Sequence, residues 1–218
     1  MKESPDYNRT VFINCPFDEE YQVLFEAMIF IILSCGFIPR SAKESMNSDE
    51  IRINKIITLI KESRYAIHDL SRVELNCDSP LPRFNMPLEL GIYIGCQRFG
   101  SGSHKNKKYL VLDKEPYRYK KFISDISGQD ISGHNNDPVT LIEIIRGWIS
   151  MVSNKAIPGS RFHLERYLQF KNELDDRCKA YKWDYDKLTY KEYNTIINEF
   201  INDKTVELID IGLSDESS

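Results

Sequence analysis

Tyr65-Ala66-Ile67-His68-Asp69-Leu70-Ser71, followed at a distance by Asn85-Met86-Pro87-Leu88-Glu89-Leu90-Gly91, decides how this chain is read. The first stretch is short, apolar and bounded by polar residues, which is the pattern of a strand buried on both faces of a sheet. The second opens a helix. Pro87 suits an early helical position, where its missing N–H has no intrahelical acceptor, and Leu88, Leu90, Ile92, Tyr93 and Ile94 give a largely buried helix. Gly91 and Gly95 are expected to let that helix lie close against a sheet. The same reading puts Glu89 in the first turn, just beyond the carboxyl edge of the strand, where open α/β sheets bind nucleotides. A first-turn acid also complements the helix dipole and can close a capping box. Local sequence leaves both roles for Glu89 open.

Working outward, Val11-Phe12-Ile13-Asn14-Cys15 reads as the first, central strand, ending at Pro16. Asp18 is an expected N-cap for a helix over about 19–34, and Gly36 an expected left-handed stop. A second strand begins at Phe37-Ile38-Pro39-Arg40, and a helix follows from about Ser48 to Glu62. Lys108-Tyr109-Leu110-Val111-Leu112-Asp113 is a further strand, Glu115 to Ile126 a partly helical aromatic segment, and Leu141 to Ser153 an amphipathic helix. This alternation predicts an α/β fold, a flavodoxin-like three-layer α/β/α arrangement with a mainly parallel sheet. Beyond Pro158-Gly159 the character becomes helical and aromatic, with a strand-like run only at Val206 to Ile211. Residues 1–155 are therefore expected to form the α/β domain and 156–218 a C-terminal helical extension serving a partner or self-association.

Composition narrows the function. The 218 residues carry 29 basic and 33 acidic side chains, a net charge of −4. That balance argues against a general binder of nucleic acid or membrane surface. The basic stretch from Arg98 to Lys108 reads as a solvated loop. No apolar run is long enough to span a bilayer, no leader is evident, and a cytoplasmic location is expected. The five cysteines form no CxxC pair, so neither a zinc site nor a disulfide framework is indicated. No metal or bound cofactor is expected. Neither GxGxxG nor a P-loop is present. His68, inside a strand, is more naturally a core histidine than a catalytic base.

The pattern of a strand, Asn14-x-Pro16-Phe17 and a helix, then Asp69-Leu70-Ser71 after a strand, then Asn85 with Glu89-Leu90-Gly91, resembles the nucleoside 2-deoxyribosyltransferase-like group and its structural relatives, the Toll/interleukin-1 receptor (TIR) domains. The resemblance covers roughly residues 10–115. It implies that Glu89 is the carboxylate acting at an anomeric carbon, that Asp69 is a second acid beside the ligand, and that Asn14, Pro16 and Phe17 form one wall of a pocket. Asn-Cys-Pro-Phe stands closer to the transferases than to the Ser-Tyr start of many TIR domains, and neither group explains the C-terminal helices.

Chemistry at an N-glycosidic bond suits such a site, because a carboxylate stabilises or traps an oxocarbenium-like centre. Nicotinamide in NAD leaves as a neutral molecule without a general acid. A purine or pyrimidine needs a proton, for which Asp69 is the candidate. Arg40 and Arg72 are the candidates for phosphate, with Ser71 and Asn85 beside them. The expectation is cleavage of a ribosyl bond, foremost hydrolysis of NAD as a bacterial antiphage-defence effector. A nucleoside deoxyribosyltransferase or nucleotide N-glycosidase, and a non-catalytic nucleotide-sensing or assembly module, are the alternatives. Asn14, Asp69 and Glu89 are expected to surround one cleft.

Overall fold

A computed structural model describes residues 4–44, 51–73, 83–126 and 131–214, with side chains to residue 203. It divides into two compact units, residues 1–160 and 161–218. The boundary lies at the start of a helix, five residues beyond the expected break between residues 155 and 156.

The first unit is built on five parallel strands: β1 (Thr10–Asn14), β2 (Ile38–Ser41), β3 (Tyr65–Asp69), β4 (Lys108–Asp113) and β5 (Ile131–Gly133), in the order β2-β1-β3-β4-β5. This is the strand order of flavodoxin-like doubly wound sheets, in which the chain reverses direction between β1 and β3. Every residue of β1 and of β3 is buried, as expected of strands covered on both faces. The helices are α1 (Gln22–Ser34), α2 (Arg52–Glu62), α3 (Asn85–Phe99) and α4 (Pro138–Val152). Helices α1 and α4 pack together on one face, α2 and α3 on the other, which completes three layers.

Several local signals act as expected. The Asp18 carboxylate accepts from Tyr21 N (3.0 Å) at the start of the 3-10 turn leading into α1. Gly36 ends that helix at φ +75°, a conformation that carries little steric cost without a Cβ. Asp137 caps α4 through the Val139 and Thr140 amides. On the α2–α3 face, Phe12, Ala66, Ile56, Leu59, Ile60 and Tyr93 form one apolar cluster. Next to it Leu70, Met86, Leu90, Val111 and Tyr119 form a second.

Other signals are corrected. Gly91 and Gly95 have open space where a Cβ would stand, so they do not draw α3 onto the sheet. The buried face of α3 is Met86, Glu89, Leu90 and Tyr93. Lys107 is not solvated: it is 0 % exposed. Its Nζ donates to the carbonyls of Ile60 (2.6 Å) and Ser63 at the end of α2, between the rings of Tyr7 and Tyr93. A lysine there satisfies carbonyls that a helix end leaves without amides. Strand β5, only Ile-Ser-Gly, has no counterpart among the expected elements.

The second unit is helical, with α5 running from Ser160 to Tyr181 and α6 from Tyr190 to Ser214. The run from Val206 to Ile211 is helix, not strand. Tyr167, Phe170, Leu174 and Cys178 recur at helical spacing and are buried, as are Tyr193, Ile196, Ile197 and Phe200. Phe170 meets Tyr193 and Phe200 edge-on at 6.0 and 5.3 Å, and Arg177 reaches Asp203 (3.1 Å). Aromatic residues of this region thus form the seam of a helical pair.

Because each unit has its own contacts, a chain ending at Ser160 is expected to keep a cooperative thermal transition and the circular dichroism of an α/β domain. A truncated chain that unfolds without cooperativity would make the helical pair part of the first unit's core.

Candidate functional site

The carboxyl edge at the β1–β3 reversal is organised by one amide. Asn14, the last residue of β1, donates both Nδ2 hydrogens, one to His68 Nδ1 and one to the Met86 carbonyl, each at 2.9 Å. The first bond ties β1 to β3, and the second ties both strands to the opening of α3. Since His68 Nδ1 accepts, its proton belongs on Nε2. Burial pushes the imidazole down to about 3, so His68 is neutral, enclosed by the edges and faces of Phe12, Tyr93 and Tyr109. It is a core histidine.

Met86 is buried one helical turn ahead of Glu89. The helix starts at Asn85, two residues before Pro87, so Glu89 is its fifth residue and no acid lies in the first turn. The residue before the helix, Phe84, makes no side-chain cap bond. The capping-box and first-turn readings of Glu89 are therefore both removed. Its side chain is only 6 % exposed, yet among the described residues it makes no hydrogen bond and no ion pair. Burial pushes its carboxyl up to about 7, against the lowering influence of the Arg52 charge.

Glu89 lines a cleft of about 280 Å³ with Asn14, Pro16, Phe17 and Asn85, five of the residues expected there. The same cleft adds Cys15, Asp18, Arg52, Arg83 and Met86. The Phe17 ring stands edge-on to Phe25 at 5.7 Å, under Lys43. Cys15 is no nucleophile at neutral pH, because burial, reinforced by Asp69, pushes its thiol well above the ordinary range. Asp18 is committed to its cap and lies 3.6 Å from Arg83 and 3.8 Å from Arg72.

Asp69 does not join this cleft. Successive strand residues face opposite sides of a sheet; His68 turns toward Tyr93 of α3, so Asp69 turns the other way. There Tyr21 donates to its Oδ2 (2.5 Å), the Ser71 amide donates to Oδ1 (2.8 Å), and His134 Nε2 lies 3.0 Å from Oδ2. Burial opposes its ionisation, but His134, Ser71 and Tyr21 together hold the carboxyl below its ordinary range. It is a saturated, fully buried anion.

Three more expected ligand residues lie outside the cleft. Arg40 spends its guanidinium on Glu44 (2.7 Å) and Glu62 (3.3 Å), and Arg72 is held by Glu20 (2.6 Å). Ser71 is buried, with its amide on Asp69. Tyr93 is 0 % exposed and turns its hydroxyl toward the carbonyls of Arg64 and Lys108. Arg52 and Arg83 take the place of Arg40 and Arg72. Neither stands out in the sequence; the Ile-rich periodicity after Arg52 marks only a helix face.

No group of acidic, histidine or cysteine side chains among the described residues has a geometry that would hold a metal ion, and no described helix is long and apolar enough to cross a membrane. Comparison with protein-family models, with curated proteins and with solved structures finds no match.

A buried acid with a raised pKa lowers stability as pH rises. The unfolded chain releases the Glu89 proton near the ordinary 4.5, the folded chain near 7, so folding binds a proton between those values and weakens across that window. Glu89→Gln is therefore expected to be more stable than the wild-type chain at pH 8. The gain should be about 2–3 kcal/mol, since each pH unit between the two midpoints is worth about 1.4 kcal/mol and contact with cleft water removes part of it. The difference should vanish near pH 4. Urea denaturation at the two pH values measures it, and a variant less stable at pH 8 would return Glu89 to a structural role.

Proposed function

We propose that this protein cleaves an N-glycosidic bond at a ribosyl carbon, with NAD as the favoured substrate and Glu89 as the catalytic carboxylate. The observation that carries the reading is a nearly buried carboxyl without a hydrogen-bond or ion-pair partner among the described residues, at the sheet's reversal point and open to a cleft. A protein keeps a group at a cost in stability where its charge has a use, and perturbed acids gather at functional sites.

The choice of substrate follows from the acids described at this sheet edge. A purine or pyrimidine leaves most readily when protonated, and the candidate for that proton, Asp69, is saturated on the other face of the sheet. Asp18 is engaged with its cap and two arginines. Nicotinamide bound to ribose is already cationic and departs with the bonding electron pair as a neutral amide. One carboxylate then suffices. It stabilises the oxocarbenium-like centre or bonds to it, and water completes the exchange, giving nicotinamide, ADP-ribose and a proton. The cationic ring also favours ionisation of Glu89 on binding. Depletion of NAD by such a reaction suits a defence effector.

Incubating the full chain with NAD and following nicotinamide release tests the reading. Release should fall by about 100-fold or more in Glu89→Gln, the scale of losing a principal catalytic group. Below pH 7, kcat/KM should drop by about tenfold per pH unit, because the working form is the carboxylate. Turnover unchanged in Glu89→Gln, or rising as the carboxyl protonates, contradicts the assignment.

A further inference from the structure

We infer that the cleft has two lobes meeting at Glu89, and that Arg52 at their junction selects a ligand bearing a phosphate while the second lobe takes its base. This rests on the reading of Glu89 as the group facing the ribosyl carbon. The first lobe, about 280 Å³, lies between the loop after β1 and the start of α3 and is rich in polar groups. The second, about 250 Å³, lies between α2 and α3, where Ile53, Ile56 and Leu88 give it apolar walls. Arg52, Asn85 and Glu89 border both lobes. A ligand spanning them has a polar part, an apolar planar part and a joint beside Glu89, which is the layout of a nucleotide: sugar phosphate, base, and the glycosidic bond between.

Charge assigns the polar end. Around the carboxyl edge Arg40 is paired with Glu44, Arg72 with Glu20 and Arg118 with Asp113. Arg52 has no hydrogen bond or ion pair among the described residues, and the acid nearest in effect, Glu89, is itself only partly charged near neutrality. Arg83 adds a second cation to the first lobe, shared with Asp18 at 3.6 Å. Arg52 also begins α2, and neither Ile51 nor Phe84, the residues before α2 and α3, supplies a side-chain cap; the amides that open a helix have no intrahelical acceptor and suit an anion. The buried Glu89 beside them, with no hydrogen bond or ion pair among the described residues, marks this opening as a ligand site rather than two frayed helix ends. A guanidinium pairs a phosphate through two parallel N–H bonds.

The test uses the full chain with Glu89→Gln, which retains shape and stops turnover, and reads binding by calorimetry. Nicotinamide mononucleotide should bind about tenfold tighter than nicotinamide riboside, the scale of one charge-assisted hydrogen-bonded contact. Adding Arg52→Ala should erase that preference and leave the riboside's affinity unchanged. Adding Leu88→Lys, at an exposed position, should weaken both nicotinamide ligands and spare ribose 5-phosphate. Equal affinities for nucleotide and riboside, a preference surviving Arg52→Ala, a Leu88→Lys effect as large on ribose 5-phosphate, or no binding of either ligand overturns the inference. A chain that passes these tests yet releases no nicotinamide from NAD with Glu89 intact keeps the two-lobed site and loses the proposed reaction.

Discussion

The amide of Asn14 is the constraint on which the site depends. Its two hydrogens span three elements far apart in sequence: the end of β1, the imidazole of β3 and the opening of α3. At the reversal point of a doubly wound sheet the crossovers diverge and leave a crevice. Without a tie, the start of α3 would be free to shift along that crevice. The Met86 carbonyl sits one turn ahead of Glu89, so holding it at 2.9 Å holds the carboxyl over the end of β1. The amide's other hydrogen, given to His68 Nδ1, fixes the His68 tautomer, and burial keeps that ring uncharged. The floor that Asn14, His68 and the Met86 carbonyl form under Glu89 is therefore uncharged.

Two carboxylates at one sheet edge have opposite conditions. Asp69 is buried completely and remains ionised because its donors are built around it. Glu89 is nearly as buried and has none among the described residues, so burial dominates and pushes its carboxyl up to about 7. A buried charge without donors is costly, and the carboxyl avoids that cost by titrating near neutrality. The result is a structural anion on the α1 side and a poised acid on the α3 side. Alternation along β3 turns Asp69 away from His68 and from the helix that carries Glu89.

Much of the fold is legible in the sequence because its signals are local. The apolar runs of β1, β3 and β4, the Asp18 cap and the Gly36 stop depend on neighbouring residues alone. β5 escapes because three residues, one of them glycine, carry no periodicity. Glu89 is legible as an acid opening a helix after a strand, although its position in the second turn depends on whether the helix begins at Asn85 or at Pro87. The role of Asp69 is hidden because the face it takes depends on the register that sets Asn14 opposite His68, which composition does not reveal. The arginines are hidden for a related reason. Arg40 and Arg72 have acids waiting at Glu44, Glu62 and Glu20, contacts made across the fold, whereas Arg52 has none among the described residues.

The site turns on Glu89 being an acid that titrates near neutrality in the cleft, with no hydrogen bond or ion pair among the described residues. That state is tested most directly by the pH titration of its side-chain carboxyl carbon by NMR in 13C-glutamate-labelled protein, assigned with Glu89→Gln. The midpoint should lie at about 7. A midpoint at the ordinary 4.5 would mean that donors or solvent already satisfy the carboxylate, and would contradict it.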